Sequence, residues 1–292
     1  MNRMSFALIT DSCCNLTDEL IDELDITVLS MTVRNGMKEY TSYVKGEKTD
    51  NKKFYTMLRS GDVLVTAALN AETCRDAFEK VLSAGEDLLY VAFSSALSGT
   101  CNVAQMMADE LKAKYPERRV VVMDSRCASM GEGLFVYYAG LLRKQGKSLN
   151  EVVAWLLEHR GNLCHWFTVE DLHFLKRGGR VSAATAIVGT ALGIKPVLHV
   201  DDEGRLINME KARGRKKSLI ALVDHMEQTI TEPEKQVVFI GHGDCEEDAA
   251  FLAQEVRRRV KVKDIVINYI DPVIGAHSGP GTVALFFLGT HR

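Results

Sequence analysis

Short apolar runs alternate with amphipathic segments through the first half of the chain, and this rhythm restricts its folds more than any other feature. FALIT (6–10), ITVLSMTV (26–33), VLVT (63–66), DLLYVAFS (87–94) and RVVVMDS (119–125) have the length and branched apolar content of strands. Helical spacing fills the gaps. A capped start at Asn15 to Thr17 leads into acidic DELIDEL, and further helices are expected over 50–59, 71–84, 99–114 and 131–145. Strands that are apolar throughout are covered on both faces, so the alternation predicts a mainly parallel sheet between helical layers. Ligands of such sheets collect beyond the carboxyl ends of the strands. ITDS, VTAAL, FSSALSGT and VMDS lie at strand exits and are expected to converge on one crevice.

From about residue 150 the pattern changes. A helix over 150–160 precedes the strand CHWFTV (164–169), LHFLKRGGRVS and an apolar helix of small residues, AATAIVGTALG (183–193). KPVLHVD and RLINMEKA resemble a hairpin. A helix over 214–230, the strand VVFIGHGD, a helix over 246–259 and the strands DIVINYI and TVALFFLG complete the chain. The predicted fold class is therefore α/β in two domains. Residues 1–155 form an N-terminal three-layer α/β/α domain with a mainly parallel sheet. Residues 156–292 form a C-terminal α+β two-layer domain with a mixed sheet.

The formal net charge of −3 over 292 residues argues against non-specific nucleic-acid binding. The seven cysteines are odd in number and lack a C-x-x-C pair, so reduced buried thiols are expected. The apolar run before Asp11 is too short for a signal peptide, and no 18-residue apolar stretch occurs, which predicts a cytoplasmic protein. Neither a P-loop nor a G-x-S-x-G elbow is present, and no clustered ligand set calls for a metal or cofactor.

Four segments have chemistry in them. SSALSGT (94–100) places Ser94, Ser95, Ser98 and Gly99 at a helix entrance, where free N–H groups favour an anion; it reads equally as a plain serine cap. Thr66 ends the strand VLVT, an ordinary position for a threonine. GAHSGPGT (275–282) surrounds His277 with glycines, which suits either a close approach to an anion or a tight surface loop. LKRGGR (175–180) and Arg213 read as exposed basic patches. Ser98 with His277 as an acyl hydrolase or transferase, and a site for a small phosphorylated ligand, are the alternative readings.

Taken together, ITDSCCNLT, VTAAL, FSSALSGT, VMDS, LHFLKRGGRVS, GIKPVL, KARGRKK and AHSGPGT resemble the DegV family, in family order from residue 7 to 287. The resemblance implies a two-domain α/β protein with an acyl tunnel between its domains. It implies one bound long-chain fatty acid, such as palmitate, stearate or oleate, and no chemistry performed on it unaided. In some bacteria such proteins present the lipid to a separate ATP-dependent fatty acid kinase subunit. By position, Thr66 and Ser98 correspond to the carboxylate ligands and His277 lies nearby. Arg180 and Arg213 correspond to residues at the site mouth that contact the partner or the phosphate. Transient membrane encounter fits this role without a membrane segment. Where the family usually has Ser-Gln-Pro-Ser after the threonine, this chain has Ala67, Ala68, Leu69 and Asn70. The small-residue run 183–194 is expected to wall the tunnel.

Overall fold

A computed structural model of the chain describes residues 6–182 and 193–292. The small-residue run expected to wall a tunnel falls outside them over 183–192. Strands β1 (Ala7–Asp11), β2 (Ile26–Leu29), β6 (Leu88–Ala92) and β7 (Val120–Asp124) form a parallel sheet in the order β2-β1-β6-β7. Its central strands β1 and β6 are buried because both faces are covered, as their near-continuous apolar runs require. Helices α3 (Ala71–Ser83) and α4 (Thr100–Lys114) pack Phe78, Leu82, Met107 and Leu111 on one face against Ile9 and Tyr90. On the other face lie α1 (Asp18–Glu23), α5 (Met130–Lys144) and α6 (Leu149–His159).

The second sheet has six strands, in the order β10-β9-β8-β13-β11-β12. They are β8 (Leu163–Thr168), β9 (Ile194–Val200), β10 (Leu206–Arg213), β11 (Val237–His242), β12 (Asp264–Tyr269) and β13 (Val283–Leu288). All neighbours are antiparallel except β11 and β12. Helices α8 (Arg215–Thr229) and α9 (Glu246–Arg259) cover its outer face through Leu219, Leu222, Leu252 and Val256. Its inner face packs Phe167, Phe239 and Phe286 in the same core as Leu134 and Phe135 of α5. Thus α5 is a layer common to both sheets, and the chain is a two-domain α/β protein in which one core cluster spans both.

Such a position needs small residues on more than one side of a helix. A Cβ at Gly131 would stand 2.1 Å from His165 Nε2 of β8, and one at Gly133 would stand 2.3 Å from the Cys14 carbonyl. The cysteines are free, and six of the seven are buried.

Two expectations change. ITVLSMTV is not one strand: after β2 the chain turns at Ser30 and continues as β3 (Thr32–Asn35) in a different sheet. Met31 N–H donates to the remote Ser12 Oγ, and Ser30 Oγ at the break accepts from Tyr43 N–H, so partners distant in sequence hold the break. The strand at VLVT is likewise displaced. As β5 (Val65–Ala67) it joins β3 and β4 (Lys38–Thr41) in a small antiparallel sheet, so VTAAL is not an exit of the parallel sheet. Gly36-Met37 makes the turn between β3 and β4, directly after Asn35, with Gly36 at φ +58°.

Glu132 of α5 is fully buried in this core. Thr10 Oγ1 lies 2.8 Å from Glu132 Oε1 and 2.9 Å from the Val91 carbonyl. One hydroxyl proton serves one acceptor, and a protonated Glu132 supplies the second. Burial raises the Glu132 pKa well above the usual carboxylate range, and the charge of Asp11 adds to it. A folded pKa above the unfolded one means that stability is full below about pH 4.3 and is lost as pH rises through the folded value. Glu132→Gln removes this loss. Its melting temperature relative to wild type should therefore be higher at pH 8 than at pH 5, by about 2–4 °C per kcal/mol. An identical difference at both pH values would contradict a neutral Glu132.

Candidate functional site

A cavity opens where the small sheet, the loop into α4 and the inner face of the second sheet meet. It has some 910 Å³ of atom-free space, its open mouth included. Phe93, Leu97, Phe167, Val200, Leu206 and Phe286 make its walls mostly apolar. Thr66, Ser98, Arg180, His277, Ser278 and Thr282 supply polar groups.

His277 belongs to a short helix, α10 (Pro272–Ser278), where the spacing of glycines suggested a loop. The sequence contains the reason. Asp271 accepts from the N–H groups of Val273 and Ile274, Pro272 has the fixed φ of a first helical residue, and Gly279 ends the helix at φ +79°. Ile270, Val273, Ile274, His277 and Ser278 then face the cavity at helical spacing.

Pairing of β5 with β3 aligns Thr66 with Val33 and turns its hydroxyl toward α10. Thr66 Oγ1 and His277 Nε2 are 2.8 Å apart. Burial lowers the His277 pKa to about 4, and the positive charges of Arg180 and Arg177 contribute. The ring is therefore neutral at pH 7, with one nitrogen to donate and one to accept. Gly178 backs it: a Cβ there would meet His277 Nδ1 at 2.2 Å.

Ser98 lies in the loop entering α4. Its Oγ is 2.9 Å from Thr100 Oγ1 and accepts from Thr100 N–H at 3.2 Å. Gly99 follows as the cap residue and also lines the cavity. No hydrogen bond joins Ser98 to His277, whose ring instead meets Thr66, so a nucleophile and base pair is not assembled.

Arg180 departs from the exposed patch that LKRGGR suggested. Its guanidinium is half-buried and lines the cavity. Nε and Nη2 donate to the Leu97 carbonyl at 3.1 and 2.9 Å, and Nη1 donates to Gly178. It ties the Ser98 loop to the glycine turn behind His277. Arg213 sits at the exposed end of β10 and does not line the cavity.

Ser94 and Ser95 also lie outside the lining. Ser94 is buried and donates to the Gly204 carbonyl at 3.0 Å, whereas Ser95 is exposed and engages Asp124 through its N–H and hydroxyl. Hence SSALSGT divides: its first two serines hold loops together, whereas Leu97, Ser98 and Gly99 reach the cavity. The departure at 67–70 is equally specific. Ala67 and Ala68 line the cavity, Leu69 is buried, and Asn70 caps α3 by accepting from Thr73 N–H. Sequence reasoning did not single out Ser278 or Thr282; the helical spacing of Ile274 and Ser278 is the signal that finds the first.

Comparison with known proteins agrees with this architecture. The family model described as "Uncharacterised protein, DegV family COG1307" matches residues 5–290. A DegV domain-containing protein of Clostridium perfringens is 45% identical over 284 residues, covering 97% of each chain. A structure described as fatty acid binding of a DegV family protein from Thermus thermophilus matches with a TM-score of 0.88 at 30% identity, covering 98% of this chain and 100% of that one. DegV of Bacillus subtilis, described as a fatty acid binding protein, matches with a TM-score of 0.85 at 25% identity, covering 99% and 100%.

Proposed function

The chain belongs to the DegV family, and on that premise we propose that it binds one long-chain fatty acid and does not itself transform it. The acyl chain lies along the apolar walls, and Thr66 and Ser98 hydrogen-bond the carboxylate with His277 beside them. The carrying observation is a largely apolar cavity in which Thr66 Oγ1 and His277 Nε2 meet at 2.8 Å with Ser98 on the same lining.

The energetics suit this reading. Some 15 buried carbons at about 0.8 kcal/mol each contribute roughly 12 kcal/mol before ordering costs. Those costs take back several kcal/mol, which leaves room for tight binding. A buried carboxylate needs hydrogen bonds in place of water. Hydroxyls and a neutral imidazole provide them without neutralising the charge, so a carboxylate oxygen stays nucleophilic. This favours a further role as the lipid-presenting partner of a separate ATP-dependent fatty acid kinase, with Arg213 and Arg180 on the approach.

Protein produced in bacteria, denatured and extracted, should release about one fatty acid per chain under mass spectrometry. Well-folded protein that releases none and takes up no added palmitate would end the proposal.

A further inference from the structure

Ser278 is only 5% exposed, lines the cavity, and has a hydroxyl without any hydrogen-bond partner. The other lining hydroxyls among the described residues are engaged. Thr66 meets His277, Ser98 meets Thr100, Ser129 donates to Asn15, and Thr282 donates to the carbonyls of Ser278 and Gly279. A helical serine usually bonds back to its own helix when it has nothing better to do. Ser278 does not.

We infer that Ser278 is a further headgroup ligand, whose hydroxyl donates to the carboxylate of the bound fatty acid. The inference rests on the fatty-acid reading above. Ser278 follows His277 on α10 and lines the same cavity, with its hydroxyl closely packed. A carboxylate offers about four lone-pair sites. Arg180, the nearest cation of the lining, already spends three N–H groups on the Leu97 and Gly178 carbonyls. An unspent buried donor on this lining therefore fits a ligand oxygen, and one with negative charge most strongly.

The test compares palmitate with hexadecanol, equal in chain length but uncharged, on delipidated full-length protein. Ser278→Ala should weaken palmitate binding about tenfold or more, the usual loss for a hydrogen bond to a charged acceptor, while hexadecanol changes little. Ser278→Thr, which keeps the hydroxyl, should retain palmitate. Unchanged palmitate affinity in Ser278→Ala overturns the assignment, and so does an equal loss for both ligands, which marks a wall residue. If Ser278→Ala does not fold, Ser278→Cys, close in size with a weak donor, gives the same comparison. Wild-type protein that binds neither ligand would remove the fatty-acid reading itself.

Discussion

A Thr66→Val, Ser98→Ala double variant is expected to emerge from the bacterial cell almost free of lipid, although it folds normally. Each substitution removes one hydroxyl donor at nearly constant volume and leaves the apolar walls intact. A hydrogen bond to a charged group contributes about 1.5–3 kcal/mol. Two such losses amount to roughly 3–6 kcal/mol, or about 10²- to 10⁴-fold in affinity. The loss is steep because the described lining has no free cation to take over. His277 is held neutral by burial, and the Arg180 guanidinium is directed at main-chain carbonyls. Thr66→Val also leaves His277 Nε2 without its hydroxyl partner, which adds to the effect. Palmitate titration of the delipidated variants, with lipid content by mass spectrometry, measures the loss. Stoichiometric fatty acid in the double variant would remove these two hydroxyls from the binding scheme.

Gly133→Ala should be the most damaging single methyl that α5 can receive from its first-domain side. In an exposed helix interior this change stabilises by up to about 1 kcal/mol, because alanine is the better helix former. Here the added Cβ would lie 2.3 Å from the Cys14 carbonyl oxygen and 3.2 Å from Leu16 Cδ2. A backbone oxygen cannot rotate away as a side chain can, so α5 must shift away from the Ser12–Cys14 turn that follows β1. That shift reaches the second sheet, because α5 packs on both. Overpacking of a dense core costs about 1–3 kcal/mol, occasionally more, and the helix gain offsets only part of it. Urea denaturation should therefore show a midpoint lowered with little change in slope. A midpoint equal to or above that of wild type would show that the junction between α5 and Cys14 yields easily.

Much of the architecture follows from local signals. The helices over 246–259 and 100–114 and the hairpin of β9 with β10 are written in spacing that acts within a few residues. The break in ITVLSMTV is not, because Ser12 and Tyr43 make it tolerable and both are remote in sequence. The helix α10 is obscured by three glycines and a proline in GAHSGPGT, although its Asp271 cap and Pro272 start are ordinary signals. Ser94, Ser95 and Ser98 share one motif and cannot be told apart locally. Their partners, Gly204, Asp124 and Thr100, separate them.

Residue order alone therefore settles the alternation of strands and helices, the change of pattern near residue 150, and which loops contain hydroxyls, glycines and cations. Those are short-range properties of backbone and side chain. Packing settles which loops meet. Thr66 and His277 are 211 positions apart, and their contact exists because β5 leaves the parallel sheet to pair with β3 beside α10. A shared core around α5 joins the two halves and thereby places a neutral imidazole and several hydroxyls in one apolar hollow. Long-range contacts of that kind depend on shape and burial across the whole chain, which no local stretch of residues encodes.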